Sequence, residues 1–146
     1  MKNNSQKEQN EKKKEALNEY REALKEVDYW TEKVDAIRRY GRYRSPSATV
    51  APTTSGPADP TGAALLDLEH TEQNLAAARK AAREVKDKVL ALIRMAPTAD
   101  QRVLLMRHYI DGMTWEEAAE AAGKGRTWAT NTHGTALLYI KLQNEA

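Results

Sequence analysis

The chain has 146 residues, 40% hydrophobic and 30% charged, with no cysteine and no phenylalanine. That balance suits helices better than a strand-rich fold, and the lack of cysteine excludes disulfides and thiolate metal sites. Basic and acidic residues nearly cancel, 23 against 21, and the longest apolar runs fall far short of the roughly 20 residues that span a bilayer.

The first dozen residues are rich in Lys, Glu, Asn and Gln and read as a fraying end. They contain no apolar core of the kind a signal peptide needs, so a soluble cytoplasmic protein, with no membrane partner, is expected. From Leu17 an apolar stripe begins: Leu17, Tyr20, Leu24, Val27, Thr31 and Val34, with Ala16, Ala23, Trp30 and Ile37 alongside. Steps of three and four place these side chains on one helical face, predicting a helix from about Glu8 to Arg42. Residues 45–59 hold Pro46, Pro52 and Pro57 and read as a linker. Asp59-Pro60 then reads as an N-cap followed by proline at the first helical position.

The second long helix is predicted from about Pro60 to Met95. Leu68, Thr71, Leu75, Ala78, Ala82, Val85, Val89 and Leu92 keep the 3-4 spacing of a coiled-coil seam. Each long helix would extend about 50 Å. An antiparallel hairpin is the simplest way to bury both stripes, with a homodimeric coiled coil as the rival.

After Ala96-Pro97 the pattern changes. Thr98 with Gln101 forms a capping box opening a helix that ends at Asp111-Gly112, and Thr114 with Glu117 forms a second box. The short helix that follows is stopped by Gly123, and a third runs from near Gly125 to about Gln143. Ala118, Ala119 and Ala122 supply a small apolar face for a close helix crossing. The fold expected is therefore all-α: a long antiparallel helical hairpin over residues 1–96, then a three-helix helix-turn-helix domain over 97–146.

In a helix-turn-helix the second helix enters the major groove. At Gln101–Leu142 this pattern resembles region 4 of bacterial sigma factors. Arg102-Val103-Leu104 sits in the leading helix, Thr114-Trp115-Glu116-Glu117-Ala118-Ala119 opens the motif, and Ala136-Leu137 closes it. The whole layout, with its His133 to Leu137 run, also resembles small phage-encoded transcriptional regulators, the ArpU and RinA type of late-gene activator and their relatives. The resemblance implies a sequence-specific, DNA-binding transcription regulator acting on double-stranded DNA, with RNA polymerase as a further partner. Aligning Ala136-Leu137 buries Ala129 and assigns base contacts to Arg126, Thr127, Thr130 and Asn131. Arg126 would pair with guanine and Asn131 with adenine. Arg107 and Thr114 fall at phosphate-contacting positions, and Lys124 joins them from its place beside a helix N-terminus. Gly125 stands where the family carries a capping Ser or Thr, and Trp128 falls on the helix surface in this register.

The charge distribution weighs against strong unaided DNA binding. Residues 1–44 carry 12 basic and 9 acidic groups, a net of +3, whereas residues 97–146 carry 5 and 6, a net of −1. Two other readings follow: a DNA-packaging subunit of small-terminase type, and an interaction module that binds polymerase or a sigma factor without DNA. The Arg38–Arg44 stretch interleaves bases and aromatics, but it also suits a solvated helix end whose cations favour the C-terminal dipole. Trp115 and Trp30 read as packed, and Glu116, Glu117 and Glu120 as a solvated face. His70, His108 and His133 share no metal-ligand spacing. No phosphate loop, nucleophile elbow or paired carboxylates appear, so neither catalysis nor a cofactor is expected.

Overall fold

The computed structural model describes the backbone of residues 2–44 and 60–142, and the side chains of 4–40 and 62–142. The expected linker, the Asp59 cap and the side chains of Arg42, Tyr43 and Arg44 lie outside the described residues. All regular structure among the described residues is helical: α1 (Lys2–Arg44), α2 (Pro60–Ile93), α3 (Ala99–Leu105), a π-helical turn (Met106–Ile110), α4 (Trp115–Ala121) and α5 (Arg126–Tyr139). Packing divides the chain into two compact units, Met1–Ala23 with Ala82–Ala146, and Leu24–Ala81. The division therefore does not fall at Ala96-Pro97. Residues 97–142 share their unit with the first turns of α1 and the last turns of α2.

In the Leu24–Ala81 unit the 3-4 stripes are the buried faces. Val34, Thr71, Leu75 and Ala78 are buried, and Leu24, Val27, Thr31 and Leu68 are half-buried. The two threonines sit in the seam without an orphaned hydroxyl, because each donates back to its own helix. Thr31 Oγ1 reaches the Val27 carbonyl at 2.8 Å and Thr71 Oγ1 the Asp67 carbonyl at 2.7 Å. Arg38 Nη2 meets Glu72 Oε1 at 2.7 Å and Arg39 Nε donates to the Asp35 carbonyl, so both arginines are engaged as helix-surface groups. Trp30 is half-buried and meets Tyr29 edge-on at 5.0 Å between ring centroids.

The other unit has two apolar cores. The larger joins Leu17 of α1, Val89 and Ile93 of α2, Ala96, Leu105, Tyr109 of the π turn, Ala136 and Leu137 of α5, and Ile140. The smaller is formed by Leu104, Ala118, Ala119 and Ala129, with Trp128 packed against it. Trp115 is half-buried, not fully enclosed, and packs against both cores.

Several boundaries differ from those expected. Helix α1 starts at Lys2, not near Glu8. Further along this first stretch Lys13 is buried and its Nζ donates to the Leu137 carbonyl at 2.9 Å. Helix α2 ends at Ile93, short of Met95. Its last carbonyls are taken up by i→i−3 bonds from Met95 and Ala96, and the Ala96 carbonyl accepts from Arg102 Nη1 at 2.7 Å. Helix α3 opens on the Thr98–Gln101 capping box but widens into the π turn, where Asp111 N–H bonds the Met106 carbonyl. Gly112 then turns the chain at φ +78°, and a Cβ there would stand 2.5 Å from Arg21 Nη2. Helix α5 stops at Tyr139, four residues before Gln143. Ile140 leaves the helix at φ −85° and ψ 129° to enter the core, fully buried. The Leu137 carbonyl accepts from both Ile140 N–H and Lys13 Nζ, which closes the end of α5 without a glycine.

Candidate nucleic-acid interface

Helix α4 begins at a capping box. Thr114 Oγ1 accepts from Glu117 N–H at 3.1 Å, and Glu117 Oε1 accepts from Thr114 N–H at 3.4 Å. It ends in a Schellman turn. Lys124 N–H bonds the Ala119 carbonyl at 2.8 Å and Gly123 N–H the Glu120 carbonyl at 2.9 Å, with Gly123 at φ +72°. The turn delivers the chain directly into α5, whose N-cap Gly125 offers no side-chain hydrogen bond.

Close approach of α4 and α5 depends on small side chains. Ala118, Ala119 and Ala129 are at most 1% exposed, so a larger residue at any of them would push the helices apart. Ala122, expected in this face, is exposed instead, because the Schellman turn rotates the chain away after Ala121. Burial of Ala129 fixes the rotation of α5. His133, Ala136 and Leu137 follow it inward, and Arg126, Thr127, Thr130 and Asn131 lie exposed on the other side. Trp128 is half-buried against the smaller core. With Asn131, Thr132, Thr135, Thr98, Asp100 and Gln101 it lines a shallow cleft of about 260 Å³.

The exposed α5 residues differ in their engagement. Arg126 Nη1 donates to Glu116 Oε1 at 3.2 Å. Thr130 Oγ1 donates to the Arg126 carbonyl at 3.1 Å, and the Asn131 carbonyl accepts from Thr135 Oγ1 at 3.0 Å. Lys124 is exposed in the turn, whereas Arg107 is half-buried in the π turn. Thr114 uses its hydroxyl oxygen and its N–H in the capping box, so only its hydroxyl proton is left for an incoming acceptor.

Behind this surface lies a polar-aromatic cluster that the sequence reading passed over. His133 is only 9% exposed, and its Nε2 lies 2.8 Å from the Tyr109 hydroxyl. Trp115 packs between the histidines, stacked on His108 at 3.7 Å and tilted against His133 at 4.3 Å between centroids. Burial, reinforced by the positive charge of Lys14 and by His108, pushes the His133 pKa down to about 4. Burial also raises the Tyr109 phenol, with Glu11 adding to the effect. The pair is thus neutral, and one proton is shared between the phenol oxygen and Nε2 in a hydrogen bond whose direction follows the imidazole tautomer. His108 donates from Nδ1 to the Met113 carbonyl at 2.7 Å, and its pKa is lowered by burial, against that hydrogen bond and together with Arg21. His133 was legible: it lies four residues after Ala129 and three before Ala136, on the inward face of α5.

Among the described residues no three His, Asp or Glu side chains gather as a metal site, and no helix is long and apolar enough to cross a membrane. Comparison with protein-family models, curated proteins and solved structures finds no match to this chain.

Proposed function

We propose that α4, its Schellman turn and α5 form a helix-turn-helix that reads double-stranded DNA, and that the protein is a transcription regulator of the phage type. In this reading α4 is the supporting helix and α5 the recognition helix, and α1 and α2 form an antiparallel hairpin. The pairing of Arg38 with Glu72 in one unit, and of the Tyr20 ring with Lys86 in the other, supports that direction. One observation carries the proposal. The rotation of α5 that buries Ala129 leaves Arg126, Thr127, Thr130 and Asn131 together on its solvent side. These types and spacing suit base edges in the major groove: a guanidinium for guanine, a carboxamide for adenine, and hydroxyls and methyls for either strand. Lys124, Arg107 and the Thr114 hydroxyl would hold phosphates.

With two cations on phosphate, the salt dependence of binding is shallow, a log–log slope of about −2. The hairpin then supplements affinity, by pairing two copies of the chain or by docking on RNA polymerase. The net charge of −1 over residues 97–146 and the exposed carboxylates of α4 favour a second reading, in which the module binds a protein and not DNA. Selection of short duplexes with a randomised centre separates the two. A regulator enriches one sequence family, and an Arg126→Ala/Asn131→Ala variant loses it. An interaction module enriches none.

A further inference from the structure

The guanidinium of Arg126 is held from one side only. Glu116, in the first turn of α4, places Oε1 3.2 Å from Arg126 Nη1. Nε and Nη2 have no partner among the described residues. Both side chains are largely exposed, 71% and 69%, so the pair contributes little to folding. What it biases is the direction of the fork. Of the three α4 carboxylates, Glu117 is committed to the capping box, and Glu120 does not touch Arg126.

We propose that Glu116 is a positioning residue for base recognition, resting on the DNA-reading role inferred above. By engaging Nη1 it turns the Nε–Nη2 edge of Arg126 outward, and that edge presents two parallel donors matched to O6 and N7 of guanine. Glu116 lies two residues after Thr114, the proposed phosphate contact at the start of α4, so its carboxylate would repel the backbone, a cost offset only where Arg126 finds its base. Glu116 therefore weakens binding to all DNA while sharpening the preference at one base pair, a repulsive element used for specificity.

The test uses the full-length chain and the pool of random-centre duplexes, sequenced before and after one round of capture. Wild type is compared with Glu116→Ala, Glu120→Ala, Arg126→Ala and the double variants of each glutamate with Arg126→Ala. Both glutamate variants remove one negative charge from the same helix and substitute the best helix former, and circular dichroism checks that each is folded. Glu120→Ala strengthens binding to the whole pool and leaves the base preferences unchanged. Glu116→Ala strengthens it similarly but lowers the guanine preference by about five- to tenfold at the position that Arg126→Ala erases. In the Arg126→Ala background the two glutamate variants become indistinguishable. The proposal is overturned if Glu116→Ala retains that guanine preference, or if it and Glu120→Ala give the same base profile in the presence of Arg126. If wild type enriches no sequence, or Arg126→Ala leaves the profile unchanged, the DNA-reading role itself fails and Glu116 loses its purpose with it.

Discussion

Replacing His133 with glutamine tests whether the polar cluster behind α5 is buried and neutral as described. An unfolded histidine titrates near 6.5, and folding lowers the His133 pKa to about 4. Between these values the unfolded chain binds a proton that the folded chain refuses, so stability falls as pH is lowered through that window. From about pH 7.5 down to about pH 5 the linkage amounts to about 2 kcal/mol, or roughly 4–8 °C in Tm for a chain of this size. Glutamine cannot titrate, yet its amide can either accept from or donate to the Tyr109 hydroxyl. The His133→Gln variant is therefore less stable than wild type at neutral pH but loses less on acidification, and the gap narrows by that amount. Thermal melts at a series of pH values measure the difference, and other titrating groups cancel because they are common to both chains. Parallel slopes for the two proteins would refute the reasoning, as would an imidazole resonance of His133 that titrates near 6.5.

Further substitutions probe the turns and the helix crossing. Ala129→Leu forces extra volume between α4 and α5 at a fully buried position, which should cost about 1–3 kcal/mol by chemical denaturation and weaken any DNA binding by displacing Arg126; an unchanged midpoint would contradict the packing. Gly123→Ala and Gly112→Ala both place alanine at positive φ, but only the Cβ at residue 112 collides with Arg21. Each should cost about 1–2 kcal/mol for alanine at positive φ. The Arg21 guanidinium is the end of a flexible side chain that can swing aside, so the second exceeds the first only slightly and Arg21→Ala removes that excess.

The elements the sequence revealed are those specified locally. Each seam position from Leu68 to Leu92 is buried or half-buried, because a 3-4 period can be satisfied only by one face of a helix. Both capping boxes and the glycine stop at Gly123 form as read, since each is a hydrogen-bond arrangement complete within a few residues. The features that escaped depend on partners far away in sequence. Lys13 in a solvated-looking run caps α5 through a bond spanning 124 residues. Ile140 ends α5 because a core built from α1, α2 and α3 draws it inward, with no local terminator to announce it. The π turn has no compositional mark, and Ala122 was misplaced because the Schellman geometry turns the chain one residue earlier than helical spacing implies. Within the candidate site, the Ala129 position gave the exposure of Arg126, Thr127, Thr130 and Asn131 but not of Trp128, which is half-buried against the smaller core and not on the open surface. The ion pair between Arg126 and Glu116 requires the α4–α5 crossing to be known and could not be read from spacing alone.

In the proposed function α5 reads base edges through Arg126 and Asn131. The most direct measurement is fluorescence anisotropy of a duplex selected by the wild-type protein against a scrambled duplex, with the Arg126→Ala/Asn131→Ala variant alongside. Wild type should prefer the selected duplex by at least about a hundredfold, and the variant should bind both duplexes nearly alike while remaining folded, having lost two bidentate base contacts. A variant that keeps the wild-type preference would contradict this reading.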